Sequence, residues 1–124
     1  MTEFKTKIKL KRVYDISDRE NRFKVLVDRL WPRGLTKEKL KIDLWEKKLA
    51  PSNELRKWYH DNLEKWDDFR EKYIMELKLN QASLREFIGK IDKEEEVLFL
   101  YGSKNEKANH AVILKEFLEL NFKV

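Results

Sequence analysis

The stretch VLVDRLWPRG (Val25–Gly34) is the segment on which the interpretation of this sequence depends most. Its apolar, valine-rich beginning predicts a buried strand. The strand passes directly into Asp28 and two arginines, and Pro32 and Gly34 indicate a loop. In open α/β sheets, ligands bind in the crevice beyond the carboxyl ends of the strands. We therefore expect a binding site where this strand ends.

Three strands and the fold class follow from the periodicity of the rest of the chain. Alternating apolar and basic residues predict a half-buried strand from Lys7 to Tyr14, and Phe23 to Asp28 is a second strand. The continuous apolar run Val97–Tyr101 predicts a central strand buried on both faces. Residues 42–49 fit either a helix or a strand, and the Ala-Pro-Ser that follows favours an extended segment. Strands separated by helices predict an α/β fold, with a mixed, mostly parallel sheet of about four strands and helices packed on it.

The helices are predicted from apolar periodicity and from capping residues. The steps of three and four residues from Leu63 to Leu77 predict a long amphipathic helix. A last helix should carry His110 on its inward side, because His110 precedes Ile113 and Leu114 by three and four residues. The predicted helix starts are Thr36, Ser52 and the capping-box pairs Ser83–Glu86 and Ser103–Glu106.

Length and composition predict one domain that folds around its own core. The chain has 124 residues, of which 41% are hydrophobic, and we expect residues 1–124 to form a single α/β domain. Lysine and glutamate enrichment without cysteine is typical of heat-adapted surfaces. The polar, basic N-terminus does not resemble a signal peptide, and no apolar run reaches membrane-spanning length. We therefore expect a cytoplasmic protein with no membrane partner.

The charge balance favours anionic partners without selecting one. A net charge of +5 and a pI of about 9.3 would attract a small anionic ligand or a nucleic acid. Lysine and glutamate are mixed along nearly the whole chain, however, and such mixing is typical of a solvated surface. A nucleic-acid interface would need basic residues clustered on one face.

Several kinds of site are excluded by residue content. The absence of cysteine excludes disulfides and thiolate nucleophiles, and two histidines argue against a closed zinc site, which needs four ligands. The sequence contains no Walker loop, G-x-G-x-x-G, G-x-S-x-G or H-E-x-x-H motif, and its carboxylates form no obvious acidic cluster. We therefore predict neither a cofactor nor a metal site.

The loop after the second strand carries the first group of candidate residues: Asp28, Arg29, Trp31, Arg33 and Gly34. Arginine offers a planar fork of donors that suits carboxylate or phosphate. Asp28 is a candidate general base or the partner of an arginine, and Gly34 would let backbone approach a ligand. Alternatively, Asp28 only pairs with an arginine while Trp31 fills the edge of the core.

A second group follows the third predicted strand, and helical Arg56 is a further candidate. This group consists of Tyr101, Gly102, Ser103, Lys104, Asn109 and His110. A helix N-terminus there would attract an anion, and His110 would be a general acid or base unless it is only a hydrogen-bonded core histidine. Around Arg56, Ser52 is expected to cap a helix while Leu55 and Trp58 pack. Arg56 itself could reach the same anion, although helical arginines are usually solvated.

These motifs resemble the YeaO-like family within domain of unknown function 488. The similarity includes VLVDRLWPRG, then KEK with DLW, then LAPSNELRKW and LYGSKNEKANHAVILKEFL, and it extends from about Val13 to Leu118. It implies a small cytoplasmic α/β protein and brings no activity, because the family is uncharacterised. The positions that match family motifs are Asp28, Arg29, Trp31, Pro32, Arg33, Gly34, Pro51, Ser52, Leu55, Arg56, Trp58, Tyr101, Lys104, Asn109 and His110.

The chain also departs from the family pattern at three places. Many members have an acidic residue at the position of Asn105 and a proline at the position of Asn62, so neither residue inherits a role. The broader family often has a Cys-His pair where this chain has Asn109-His110, so the resemblance does not bring thiol chemistry to this chain.

Three hypotheses follow from the sequence. In the first, Arg29, Arg33 and Lys104 hold an anion, phosphate being the first candidate, and His110 and Asp28 supply hydrolytic or lyase-like chemistry. The first hypothesis requires Arg33 and His110 to converge on one positively charged hollow. In the second, the protein is a non-catalytic nucleic-acid-binding module whose bases stack on Trp31, Trp45 and Trp58. In the third, it is a structural or partner-binding protein, in which the arginines only bridge loops.

Overall fold

A computed structural model gives the fold and describes residues 5–122. The strands are β1 (Lys7–Arg12), β2 (Phe23–Leu26), β3 (Leu44–Trp45) and β4 (Glu96–Tyr101). The helices are α1 (Lys37–Leu40), α2 (Asn53–His60), α3 (Trp66–Lys78), α4 (Gln81–Ile91) and α5 (His110–Phe122). Two 3₁₀ turns lie at Val13–Asp15 and Lys47–Leu49.

The four strands form one parallel sheet in the order β1-β4-β2-β3. Val97 of β4 pairs with Ile8 of β1 on one side and with Phe23 of β2 on the other, so β4 is an inner strand as predicted. The α/β class and the strand number are confirmed, and the sheet is wholly parallel rather than mixed. Each connection between successive strands is a long crossover and none is a two-residue hairpin, which is why no antiparallel pair forms.

The sheet divides the apolar core into two clusters. Alternate β4 side chains point to opposite faces, so Val97 and Phe99 join a large cluster with α2–α5, while Leu98 and Leu100 join a small cluster. The small cluster is covered by Leu40 of α1 and by the partly buried Trp31 and Trp45. Most helical mass therefore lies on one face, and the carboxyl ends of β2 and β4 open beneath it.

Two of the four predicted caps are confirmed. The Thr36 hydroxyl accepts the Lys39 N–H, and the Ser52 hydroxyl accepts the Leu55 N–H at 3.1 Å. Both capping boxes are wrong: Ser83 lies inside α4, and the Ser103 hydroxyl accepts the Asn105 N–H within the loop before α5.

Several predicted element boundaries also change. The first two strands are each two residues shorter than predicted, since β1 ends at Arg12 rather than Tyr14 and β2 ends at Leu26 rather than Asp28. The helix predicted from Leu63 begins at Trp66, because the Asn62 carbonyl accepts the Lys65 N–H in a turn that leaves Leu63 63% exposed. The extended interpretation of residues 42–49 is confirmed only for Leu44–Trp45, after which the chain tightens into a 3₁₀ turn. Within residues 5–122, no helix is long and apolar enough to cross a membrane.

A short ion pair fixes the turn that leads into β2 and predicts an acid dependence of stability. Arg22 donates to both carboxylate oxygens of Glu20, at 2.8 and 2.7 Å, and these hydrogen bonds lower the pKa of Glu20 from 4.5 to about 2. A lowered carboxyl pKa stabilises the fold above the unfolded pKa, and this contribution is lost as the pH falls from 4.5 toward 2.

We expect Glu20→Gln to lower the free energy of unfolding by about 0.5–1 kcal/mol at pH 6 and by less at about pH 2.5. Urea titrations at the two pH values measure this, with Glu38→Gln, an exposed carboxyl, as the control. If Glu20→Gln lowers the free energy of unfolding equally at both pH values, the ion pair with Arg22 is not the source of an acid dependence.

Candidate functional site

A cavity of about 310 Å³ lies at the carboxyl ends of β2 and β4, and we call it the strand-end cavity. Helices α2, α3 and the first residue of α5 enclose it together with the loops that follow the two strands. Its lining residues are Asp28, Arg29, Leu30, Ala50, Pro51, Arg56, Tyr59, Phe69, Ser103, Ala108, Asn109 and His110. The loops after Val27 and Tyr101 therefore meet at one end of the sheet, where the parallel topology leads us to expect a ligand site.

Asp28 and His110 form the polar centre of the cavity. The His110 Nε2 atom lies 3.0 Å from the Val27 carbonyl oxygen and 3.0 Å from Asp28 Oδ1. A carbonyl only accepts hydrogen bonds, so the ring atom that faces Val27 is an Nε2–H donor. The Nε2–H is aligned with the carbonyl, and Asp28 Oδ1 is buried without an aligned donor among residues 5–122. The short contact between Asp28 Oδ1 and His110 Nε2 is thus electrostatic and is not an aligned hydrogen bond.

Asp28 also joins the ends of the two strands. Its Oδ2 atom accepts the Gly102 N–H at 2.8 Å, and its backbone carbonyl accepts the Trp45 Nε1–H at 2.7 Å. A Cβ atom at Gly102 would lie 3.0 Å from Asp28 Oδ2, closer than ordinary van der Waals contact. The absence of a side chain at Gly102 is therefore what lets the carboxylate approach the backbone of the second loop.

Arg29 connects the cavity to the segment before α2. Its Nε donates to the Pro51 carbonyl at 2.9 Å, and one terminal nitrogen donates to the Ala50 carbonyl at 3.2 Å. These bonds use two of the five N–H donors of a guanidinium, so three stay available at the cavity. Arg29 bridges loops, as the third hypothesis predicts, and keeps donors for an anion as well.

Arg56 brings a second positive charge to the cavity from α2. Its side chain is exposed and lies 3.5 Å from Asn53 Oδ1. In the part of the chain that the structure describes, no carboxylate lies within ion-pair distance of either Arg29 or Arg56. Two guanidinium groups and one carboxylate, that of Asp28, line the cavity, so it carries more positive than negative charge.

Asn109 caps the helix that supplies His110. Its Oδ1 accepts the Val112 N–H at 3.2 Å, and its Nδ2 donates to the Asn105 carbonyl at 2.8 Å. The residue is 4% exposed, so both ends of the buried amide are satisfied. The cap places the positive end of the 13-residue helix α5 beside the cavity.

Aromatic rings form the apolar wall of the cavity. Tyr59 and Phe69 stack with centroids 4.3 Å apart, and burial raises the pKa of Tyr59 above its usual value. Behind them, fully buried Tyr73 donates its hydroxyl to the Leu49 carbonyl at 2.5 Å, and its ring meets His110 edge-on at 6.3 Å. The aromatic wall is thus continuous with the large cluster, and the buried Tyr73 ring packs against His110.

Comparisons with known proteins settle the family. A family model described as the inactive DUF488-N3 subclade matches residues 7–124. The chain belongs to this subclade. The resemblance to YeaO-like proteins is confirmed as well, because the uncharacterized protein YeaO of Escherichia coli K12 is 40% identical over 111 residues, covering 90% of this chain and 96% of the relative.

Further relatives of this chain are also described as uncharacterized. Proteins of Mycobacterium bovis and Mycobacterium tuberculosis are 35% identical over 113 residues, which cover 91% of this chain and 94% of each relative. No solved structure matches the chain.

Some predicted site residues of this subclade member come together, and others do not. The structure places Asp28, Arg29, Arg56, Asn109 and His110 in the lining of the strand-end cavity. The residues that lie outside the lining are Trp31, Arg33, Gly34, Tyr101 and Lys104.

The loop after Asp28 explains three of the residues outside the lining, because it turns toward the small cluster. Trp31 packs edge-on against Trp45 at 5.4 Å and donates to the Leu35 carbonyl. Arg33 is exposed, and its carbonyl accepts the Tyr14 hydroxyl. Gly34 has φ +78° with open space where a Cβ would lie, so it serves the backbone turn rather than a close approach. Arg33 is therefore not among the residues that line the cavity with His110.

The other two residues outside the lining follow β4. Tyr101 is 3% exposed in the large cluster, and burial raises its pKa. Lys104 is exposed in the loop before α5 and is not one of the residues that line the cavity. The sequence interpretation did not select the lining residues Tyr59 and Phe69 for the site, and it included Ser103 in the second group without giving it a binding role. Arg56 and Tyr59 are three residues apart and so occupy neighbouring positions on one helix face. This spacing is the sequence signal that could have placed Tyr59 beside Arg56.

Proposed function

We propose that this protein binds a small organic anion in the strand-end cavity, where His110 contributes a hydrogen bond and Asp28 lies against His110. The observation that carries this proposal is the pair Arg29 and Arg56, whose unused donors line one cavity without a carboxylate partner. Guanidinium donors beside a helix N-terminus are the groups that proteins use for carboxylate and phosphate. Because Nε2 donates to the Val27 carbonyl, Nδ1 is the ring atom of His110 that remains for a hydrogen bond with the ligand.

The cavity walls support an organic rather than an inorganic anion. Leu30, Ala50, Pro51, Tyr59 and Phe69 provide apolar surface, and a volume of about 310 Å³ lies at the small end of ligand pockets. A compact apolar body with one carboxylate or phosphate would contact the aromatic wall and the arginines together. The ligand class that we propose is therefore a small organic phosphate or carboxylate.

Binding without covalent catalysis fits the side chains at the start of α5. Asn109 has both ends of its amide in hydrogen bonds, and the chain contains no cysteine. An amide held in this way is not a nucleophile, whereas the broader family that this chain resembles often has Cys-His at this position. The description of the subclade as inactive agrees with a pocket that keeps its binding groups and has no nucleophile there.

The nucleic-acid hypothesis has less support in the described residues. Trp31 and Trp45 pack against each other, and Trp58 packs against the large cluster beneath Lys72. None of these three indoles is exposed as a platform on which bases stack.

We expect Arg56→Ala to weaken binding of phenyl phosphate about 10–100-fold with little change in thermal stability, because the substitution removes a charge-assisted contact with the ligand and, within the protein, a long, exposed hydrogen bond to Asn53. Isothermal titration calorimetry measures the affinity, and a thermal-shift series tests whether the ligand raises the melting temperature by mass action.

Arg85→Ala is the matched control for Arg56→Ala, since Arg85 is an exposed helical arginine away from the cavity. If phenyl phosphate and phenylacetate leave the melting temperature of the wild-type protein unchanged at millimolar concentration, the proposed function is overturned. Equal weakening by both arginine substitutions would also overturn it, because the loss would then reflect net charge alone.

A further inference from the structure

The strand-end cavity continues into a second hollow along helix α2, which we call the α2 groove. The two share Arg56, Tyr59 and Ser103 in their linings, and the groove adds about 560 Å³ of more open space. Shared lining residues mean that the two hollows adjoin at one rim. A ligand longer than the strand-end cavity would extend into the groove past Arg56.

The α2 groove offers cationic groups of its own. Lys57 and His60 line it on the last turns of α2, where Asp61 is the one acidic lining residue. Lys57 and His60 are exposed, and neither makes an ion pair with a carboxylate in the described range 5–122. With Arg56 at the shared rim, one helix therefore presents a row of nitrogen donors from the cavity outward.

Exposed leucines flank both hollows. Leu30 lines the strand-end cavity and is 57% exposed, and Leu63 lines the α2 groove and is 63% exposed. Neither leucine contributes to the buried core, and the turn that begins at Asn62 holds Leu63 out of the apolar stripe of α3. A ligand in either hollow would therefore find an apolar side chain beside the charged groups.

We propose that the α2 groove binds a second anionic group of the same ligand, which would then carry two neighbouring anionic groups, as in a pyrophosphate or a bisphosphate. This inference rests on the proposed function, because the first anionic group occupies the strand-end cavity. Arg56 lies between the two groups and contacts both, while Lys57 and His60 bind the outer one. A purely structural role, in which Lys57 and His60 only complement the negative end of the α2 dipole, is the alternative that the experiment must exclude.

Calorimetric titrations with inorganic phosphate and with pyrophosphate, in metal-free buffer, test this proposal. We expect pyrophosphate to bind the wild-type protein at least about tenfold more tightly than phosphate, since a second set of charge-assisted contacts forms. In the Lys57→Ala/His60→Ala double variant, we expect this ratio to fall below about threefold while phosphate affinity stays within about twofold of wild type. Lys93→Ala, an exposed lysine outside both hollows, controls for the change in net charge.

The outcomes separate the two proposals. An unchanged ratio in the double variant, or an equal fall in Lys93→Ala, overturns the assignment of the α2 groove and leaves the strand-end cavity untouched. If phosphate and phenyl phosphate fail to bind while pyrophosphate binds with dependence on Lys57 and His60, the groove is supported and the proposed function fails. If none of the three anions binds, both proposals are overturned.

Discussion

Replacing Asp28 with alanine is expected to lower the free energy of unfolding by about 2–4 kcal/mol. The carboxylate accepts the Gly102 N–H at 2.8 Å and lies 3.0 Å from His110 Nε2, and its side chain is only 19% exposed. Its removal leaves a partly buried N–H without an acceptor and separates the ends of β2 and β4. The partial exposure places the expected loss below that of breaking a fully buried ion pair. Urea denaturation followed by tryptophan fluorescence measures the change.

Two further substitutions separate the hydrogen bond of Asp28 from its charge. The amide side chain of an Asp28→Asn variant can still accept the Gly102 N–H but carries no charge toward His110, so we expect about half of the loss. Asp18→Ala is the matched control, because Asp18 is exposed and has no recorded hydrogen bond, and it should change stability by less than about 0.5 kcal/mol. If Asp28→Ala is as stable as Asp18→Ala, the carboxylate does not tie the two strand ends together.

The second large effect is expected at Tyr73, behind the cavity. Tyr73→Ala should lower the free energy of unfolding by about 3–5 kcal/mol, because the residue is fully buried and its loss opens a hole between the aromatic wall and His110. Tyr73→Phe keeps the ring and removes the hydroxyl that reaches the Leu49 carbonyl, so about 1–2 kcal/mol should be lost. Chemical denaturation at about pH 7 gives both values.

Alkaline pH provides an independent test of the buried Tyr73 hydroxyl. Burial raises the pKa of Tyr73 above its usual value near 10, since the phenolate would have to form in an apolar site. The unfolded chain ionises first, so this residue makes the fold less stable as the pH rises above about 10, and below that pH it has no such effect. The stability of Tyr73→Phe should therefore fall less steeply between about pH 9.5 and 11. Parallel curves for the two proteins would show that Tyr73 is not shielded from solvent.

The strands and the local caps could be predicted because their signals are short-range. The alternation in β1, the apolar run of β4 and the Ser52 hydroxyl before α2 each depend on residues within one turn or one strand. The capping boxes failed for a related reason. The spacing of Ser103 and Glu106 occurs by chance in polar loops, and here a series of side-chain bonds to backbone from Ser103 and Asn105 delays the helix to His110.

Only part of the candidate site could be predicted, because its composition depends on the path of a loop. The sequence shows that Arg29, Trp31 and Arg33 follow a strand, but it does not show to which face of the sheet the chain then turns. The packing of Trp31 against Trp45 determines the direction of this loop, and Arg33 consequently lies outside the cavity lining. Arg56 reaches the cavity because the Ser52 cap and the Arg29 bridge to Pro51 fix where α2 begins, and that long-range contact has no sequence pattern.

The amide of Asn109 has a consequence for how this lineage can change. A cysteine placed at this position would give up the bonds to Val112 and Asn105, at a cost of about 1 kcal/mol or more in helix stability. A variant with a thiol here would thus be a less stable protein, with the histidine beside it less firmly placed. Compensating changes in residues 103–108 would have to accompany such a substitution.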